Sequence, residues 1–186
     1  MRDRRGRAIL RGMLTRRLIT TILACAALLA VAAAGVAGAG ESRTARQLDA
    51  VKRATARFKD VSKAEAAGYV ATSECVTGRG GAMGVHYLNV ALVGDPKLDL
   101  RKPELVLYEP QEGGGMKLVG VEWMVLERGQ TRAPRIMGRF DGPMDHKGTA
   151  PMHYDLHVWT VRRNPRGAFS QYNPRVSCEH AAPKEG

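Results

Sequence analysis

Two histidines and an aspartate occupy every second position within residues 152–161. This segment is the most informative part of the chain about function. Its β-branched and aromatic residues predict a strand, and successive side chains of a strand point to opposite faces. His153, Asp155 and His157 then share one face with Trp159. Imidazoles flanking a carboxylate on one rigid surface can bind a metal ion or relay protons. The segment therefore indicates a site, although it does not name a reaction.

Glu122 is the second unusual residue, because it lies within the apolar strand-like segment 118–126. Both faces of that strand are apolar, so both should be covered. A lone ionised carboxylate there would cost several kcal/mol unless it is paired, hydrogen-bonded or protonated. His86 shares a predicted strand face with Leu88 and Val90, which directs its ring inward. Both residues therefore need polar partners inside the fold.

We predict that these groups converge across neighbouring strands as a transition-metal site. Its ligands are drawn from His86, Glu122, His153, Asp155 and His157. Neutral imidazoles with a carboxylate suit Zn, Mn, Fe, Ni or Cu, and they do not suit calcium. Residues four apart on a strand stand about 13 Å apart, so His153 and His157 should not share one ion without a bulge. Asp155 paired with either histidine is better spaced, and the remaining histidine would support a ligand or face the substrate.

A structural explanation of the same residues stays open. Glu122 would then pair with an arginine such as Arg135 or Arg139, and the histidines would belong to a hydrogen-bonded polar face. The protein would be a non-catalytic secreted or envelope binding module whose buried polar cluster organises the fold or a ligand pocket. The favoured hypothesis is a metal-binding protein that is also a candidate metalloenzyme for a small molecule. The GxSxG, HExxH and P-loop motifs of familiar enzyme classes do not occur.

The first 39 residues predict an export signal. Seven arginines precede an alanine-rich apolar stretch at residues 18–38, and Ala37-Gly38-Ala39 suits a signal peptidase. A retained membrane anchor is the rival, because about 20 apolar residues can span a bilayer. The high alanine and glycine content favours cleavage after Ala39, with residues 40–186 as a single exported domain. We therefore expect a secreted or cell-envelope protein that meets the membrane only during export.

The charge of the chain is concentrated in this predicted signal. The net charge is +11 overall, and the signal contributes seven basic residues and one acidic residue, so the remaining domain carries about +5. The domain has no arginine-rich stripe interleaved with aromatic residues, which argues against nucleic-acid binding. A small-molecule ligand is the partner class that the sequence favours, and no pattern indicates an oligomeric state.

Cys75 and Cys178 are the two cysteines of the predicted domain. In an oxidising exterior, two such cysteines most often pair, and this pair would close a loop across most of the domain. Two separate buried thiols are the alternative.

The sequence predicts an α+β fold. Apolar residues at spacings of three and four predict one amphipathic helix over residues 44–67, which Gly68 is placed to end as a left-handed cap. Strands are predicted after Cys75, with glycines 113–115 as a hairpin turn. Their ranges are 84–93, 105–109, 116–126, 135–137 and 152–161. We therefore predict an N-terminal amphipathic helix packed on an antiparallel, barrel-like β-sheet.

Several motifs, in this order, resemble those of a family of uncharacterised exported bacterial proteins. They are MGVHYLN at residues 83–89, LVGVE at 118–122, HYDLHVW at 153–159 and NPRVSC at 173–178. The similarity spans the predicted domain. It implies an exported protein, and it implies no activity, cofactor or catalytic residue.

Overall fold

A computed structural model describes residues 43–95, 97–145 and 151–182. Apart from the first residues of its first helix, the fold described below belongs to one compact unit, Arg46–Gly186. The predicted signal peptide, residues 1–39, lies outside the described residues, and the predicted domain boundary after Ala39 stays a prediction. Within the described ranges, no helix has the length and apolar character needed to span a membrane.

The N-terminal part of the fold is helical but is not the single helix predicted over residues 44–67. It comprises α1 (residues 43–55), a 3-10 turn (Ala56–Lys59) and α2 (Val61–Ala66). The break falls at Asp60, whose backbone is extended and whose side chain accepts a hydrogen bond from the backbone N–H of Ser62. Asp60 is therefore the N-cap of a new helix, which the apolar periodicity did not indicate.

Gly68 ends α2 as predicted. Its φ of +90° lies in the left-handed region. The N–H of Gly68 donates to the carbonyl of Glu65, and the N–H of Tyr69 donates to the carbonyl of Ala64. These two bonds form a Schellman motif, which satisfies the last carbonyls of the helix.

The described residues form seven strands. They are β1 (Val70–Ala71), β2 (Val76–Gly78), β3 (Gly81–Leu88), β4 (Leu105–Pro110), β5 (Met116–Leu126), β6 (Asp141–Met144) and β7 (His153–Val158). A short helix, α3 (Val90–Gly94), follows β3.

These strands form one antiparallel sheet in the order β1-β3-β4-β5-β7-β6, with β2 paired to β3. The predicted α+β class with an antiparallel sheet is confirmed, but the sheet is open between β1 and β6, and barrel-like closure is not observed among these strands.

Two predicted strand segments differ from the observed ones. Residues 90–93 lie in α3, because Asn89 caps that helix by accepting from the N–H groups of Ala91 and Leu92. Residues 135–137 contribute only an isolated bridge between Arg135 and Arg139, and the edge strand is β6 instead. The predicted hairpin at glycines 113–115 is confirmed, since a 3-10 turn there joins the paired strands β4 and β5.

The two faces of the sheet have different partners. One face forms the main hydrophobic core with helical residues that include Val51, Phe58 and Ala64. Tyr108, fully buried on that face, donates its hydroxyl to the carbonyl of Phe58 at 2.6 Å. A smaller hydrophobic cluster includes Leu107, which lies between Val106 and Tyr108 of the main core and therefore points to the other face. Its members are Ala82, Leu107, Val119, Trp159 and Val176. The central strands are therefore buried on both sides, as the apolar sequence of β5 indicates.

The predicted disulfide between Cys75 and Cys178 is confirmed. It joins the segment before β2 to the C-terminal segment, across 103 residues. A buried carboxylate supports the same attachment, because Glu109 pairs with Arg162 and accepts from the N–H of Ser177 at 3.0 Å. The C-terminal segment is therefore fixed by both covalent and polar contacts.

Removal of the disulfide should lower stability substantially. Loss of a cross-link over a loop of 103 residues releases chain entropy in the unfolded state. The free energy of unfolding of a Cys75→Ser/Cys178→Ser variant should therefore fall by about 4 kcal/mol. Denaturant titration measures this difference. A reducing agent should bring the wild type to the level of the variant and leave the variant unchanged, whereas a loss below about 1 kcal/mol would contradict the prediction.

Candidate metal centre

Strand register brings Glu122 and His157 together. Glu122 on β5 is directly opposite His157 on β7, and directly opposite residues of an antiparallel pair point to the same face. On its other side, Glu122 is opposite Leu105 of β4. His86 is on β3, beyond β4, so its ring reaches Glu122 diagonally across the strand between them. Three separate strands thus contribute one polar side chain each to the same spot.

Glu122 is at the centre of this cluster. Its Oε2 lies 3.3 Å from Nε2 of His86 and 3.3 Å from Nε2 of His157. The ligating atoms of the three side chains all lie within 4.8 Å of one another, so they can hold a metal ion. The ring centroids of His86 and His157 are 5.8 Å apart, and the two ring planes are almost perpendicular. Both Nε2 atoms face the carboxylate of Glu122.

The cluster is buried and incompletely hydrogen-bonded. The side chains of Glu122 and His157 are each 3% exposed, and that of His86 is 12% exposed. Among the described residues, neither Oε2 of Glu122 nor Nε2 of His157 has a hydrogen-bond partner of acceptable geometry. Buried polar atoms without partners are uncommon, and each costs about 1–3 kcal/mol. These two atoms face each other at 3.3 Å, so one shared ligand could satisfy both.

Ser73 fixes the ring of His86. Its Oγ is 3.1 Å from Nδ1 of His86 and accepts from the backbone N–H of the same residue at 3.0 Å. A hydroxyl can donate to an imidazole nitrogen or accept from it, so this contact holds the ring in place in either tautomer. Nε2 of His86 is then left to face Glu122. No sequence pattern indicates Ser73, which lies in the irregular segment before β2.

Gly84 determines how closely β3 approaches β4 near His86. Its φ is +95°, and a Cβ built on it would lie 2.4 Å from the carbonyl oxygen of Tyr108. Any side chain at this position would therefore move the backbone two residues before His86. The glycine of the MGVHYLN segment has a positional role in the site.

The other predicted ligands lie beside the cluster. Oδ1 of Asp155 is 3.8 Å from Nδ1 of His157, which is longer than a hydrogen bond, and the described residues offer it no other hydrogen-bond partner. Nδ1 of His153 is 2.7 Å from the carbonyl oxygen of Pro151. Both side chains line the same cavity as the cluster but do not belong to the group of three. Whether either binds an ion stays a prediction.

Arginine does not neutralise Glu122 in the described part of the chain. The ion-pair contacts of this carboxylate are to His86 and His157. Arg135 and Arg139, the arginines of the structural explanation, instead form a backbone bridge with each other.

The charges of the cluster shift one another's protonation. Burial disfavours the ionised form of Glu122, but the adjacent His157 and His86 outweigh burial and lower the pKa of Glu122. Burial likewise disfavours a charged His157, but Glu122 and Asp155 outweigh it and raise the pKa of His157 to about 9. Without an ion, the cluster is therefore an imidazolium paired with a carboxylate at neutral pH.

A cavity of about 710 Å³ opens onto the cluster. Its walls combine the polar residues of the site with aliphatic and methionine side chains, among them Leu88, Leu105, Met124 and Leu126. The volume lies within the range of roughly 300–1,000 Å³ that small-molecule sites occupy. The cluster is therefore accessible from a space large enough for a small molecule.

No protein-family model, curated protein or solved structure matches this chain. The similarity of its motifs to an exported bacterial family therefore stays a sequence prediction. Function has to be inferred from the site itself.

Metal-free protein should lose stability as the pH rises, because His157 is held protonated. A pKa raised on folding contributes stability that is complete below the unfolded value of 6.5 and is lost as the pH rises through about 9. Glu122→Gln removes the charge that raises this pKa, so the variant should lack this loss. Denaturant titrations in EDTA between pH 6.5 and about 9 measure the free energy of unfolding of both proteins. The wild-type value minus the variant value should fall across this interval. A difference that stays constant with pH would contradict the prediction.

Proposed function

We propose that this protein binds one divalent transition-metal ion through Nε2 of His86, the carboxylate of Glu122 and Nε2 of His157. The observation that supports it is a pair of buried atoms, Oε2 of Glu122 and Nε2 of His157, that have no hydrogen-bond partner in the described part of the chain. Two atoms that each lie about 2.0–2.2 Å from a tetrahedral ion stand roughly 3.4 Å apart. Both nitrogen–oxygen distances in the cluster, 3.3 Å, are close to this value.

The donor set limits the choice of ion. Two imidazoles and one carboxylate occur in catalytic zinc sites and in the facial triad of non-haem iron enzymes. Zn, Mn, Fe, Ni and Cu all accept such ligands, whereas calcium and magnesium prefer oxygen. Because the described cluster supplies three ligands, at least one coordination position would face the cavity.

This arrangement supports a metalloenzyme that acts on a small molecule. A bound ion with an open position supplies Lewis acidity to a water or to a substrate oxygen. Asp155 and His153 line the cavity next to the proposed ligands. Asp155, whose Oδ1 is 3.8 Å from Nδ1 of His157, would act on that ring through its charge, and His153 would accept a proton from a molecule in the cavity.

Export is part of the proposal. The disulfide between Cys75 and Cys178 is compatible with an oxidising compartment, where such bonds persist. Together with the predicted signal at residues 1–39, it supports a secreted or cell-envelope protein. Such a protein would acquire its metal outside the cytoplasm or during export.

The second candidate is a non-catalytic binding module whose cluster only organises the fold. The raised pKa of His157 favours it, because a proton alone gives the buried carboxylate a positive neighbour. The two candidates differ in what occupies the centre of the cluster: a metal ion in the first, and only protons in the second.

Metal analysis separates these candidates. Protein purified without an affinity tag should contain about one transition-metal ion per chain, and Glu122→Gln and His157→Gln should each reduce this to background. His153→Gln is the matched control, because His153 is a buried histidine of the same strand and cavity outside the group of three. Mass spectrometry of the bound metal gives the result.

Wild-type protein without metal, even after incubation with each of the five ions, would contradict the metal proposal and favour the binding module. If His153→Gln and Glu122→Gln lose the same amount of bound metal, and both variants are folded by circular dichroism, the ligand set would extend to His153.

Ser73 should be important for metal affinity without contacting the ion. Ser73→Ala removes the group that orients His86, and loss of such outer contacts typically weakens metal binding by about 10–100-fold. Thr72→Ala is the control, because the hydroxyl of Thr72 donates to the backbone carbonyl of His86 and not to its ring. Competition with a chromophoric chelator measures both affinities, and equal effects of the two variants would contradict a specific role of Ser73.

A further inference from the structure

We propose that the cavity beside the cluster binds a small, mainly apolar molecule that carries one uncharged or singly charged metal-ligating oxygen group. This inference rests on the proposed metal site and adds the class of its ligand. The ligand's polar group would lie at the cluster, and its apolar part would lie against the aliphatic wall.

The two parts of the ligand correspond to two regions of one sheet face. The polar region follows β7, where His157, Asp155 and His153 lie at alternate positions. The apolar region lies on the neighbouring strands, where Leu105 is opposite Glu122 and Met124 is opposite Asp155. A molecule that contacts both regions must therefore be polar at one end and apolar along the rest.

The apolar wall continues beyond the sheet. Val90 and Val93 of α3 line the cavity, and Val90 is 71% exposed despite its apolar side chain. The other exposed large apolar residues in the described part, Val70 and Met152, do not line the cavity. The α3 residues lengthen the wall to which an apolar chain or ring can bind.

The charge of the cavity argues against ligands with multiply charged anionic groups. None of the described residues that line the cavity is a lysine or an arginine, while Glu122 and Asp155 both face it. Phosphate and other multiply charged groups are bound in proteins mainly by arginine, lysine and helix N-termini. The cavity therefore lacks side chains that would neutralise a phosphorylated ligand, and the ion is the single positive group that the proposal supplies.

Two hydroxamates of different length test this inference on zinc-loaded protein. Acetohydroxamate and octanohydroxamate have the same metal-binding group, and the longer one adds six methylenes. Because each fully buried methylene strengthens binding about fourfold, octanohydroxamate should bind at least about 100-fold more tightly even with partial burial. Isothermal titration calorimetry gives both dissociation constants.

A pair of methionine variants locates the binding. Met124→Gln makes the apolar wall polar. It should weaken the binding of octanohydroxamate by about tenfold and leave the affinity for acetohydroxamate unchanged. Met152→Gln is the control, because Met152 is 47% exposed and lies outside the cavity; it should leave both ligands unchanged.

The outcomes distinguish this inference from the proposed function. If zinc binds but the two hydroxamates bind equally, or neither binds, the apolar-ligand inference is wrong and the metal site stands. Equal weakening of octanohydroxamate by both methionine variants also overturns the inference, because binding would not depend on the cavity wall. If zinc does not bind at all, metal analysis shows this before any ligand is added, and both proposals fail.

Discussion

The burial of the Glu122 carboxylate is the constraint on which the rest of the site depends. A charge at 3% exposure inside an apolar sheet is tolerated only if positive or hydrogen-bonding groups surround it. Two imidazoles from different strands meet this need in part, and the oxygen that faces them still lacks a hydrogen bond from any described residue. The same arrangement that lowers the cost of the buried charge also produces a set of donors suited to a metal. The burial of one carboxylate therefore explains both why the histidines surround it and why the cluster is suited to a metal ion.

Much of this arrangement follows from sequence, because the signals are local. Glu122 is conspicuous among apolar neighbours, and the alternation of residues 153–157 assigns their faces without knowledge of the fold. Local signals do not decide which of the two β7 histidines, His153 or His157, lies next to Glu122. This depends on which residue of β7 is opposite Glu122, and strand register is a long-range property that spacing along one strand does not contain. Strand geometry alone predicts that His153 and His157 do not share one ion without a bulge, and the group of three contains His157 and not His153.

The features that the sequence did not predict lie where local signals conflict. Residues 90–93 have the apolar, β-branched content of a strand, yet the cap from Asn89 turns them into a helix. The edge strand β6 contains glycine and proline, which ordinarily indicate a turn. Ser73 lies in no regular element, and its role depends on a contact with a residue thirteen positions away. Asp60 divides the N-terminal helix although the apolar periodicity continues past it.

The position of the disulfide has a consequence for how the cluster forms. Cys75 precedes, and Cys178 follows, all three residues of the cluster, so His86, Glu122 and His157 belong to one covalently closed ring. When such a ring unfolds, its segments cannot drift as far apart as those of an open chain, and their effective concentration for one another stays higher. The bond therefore favours reassembly of the three donors after each unfolding event, although it touches none of them.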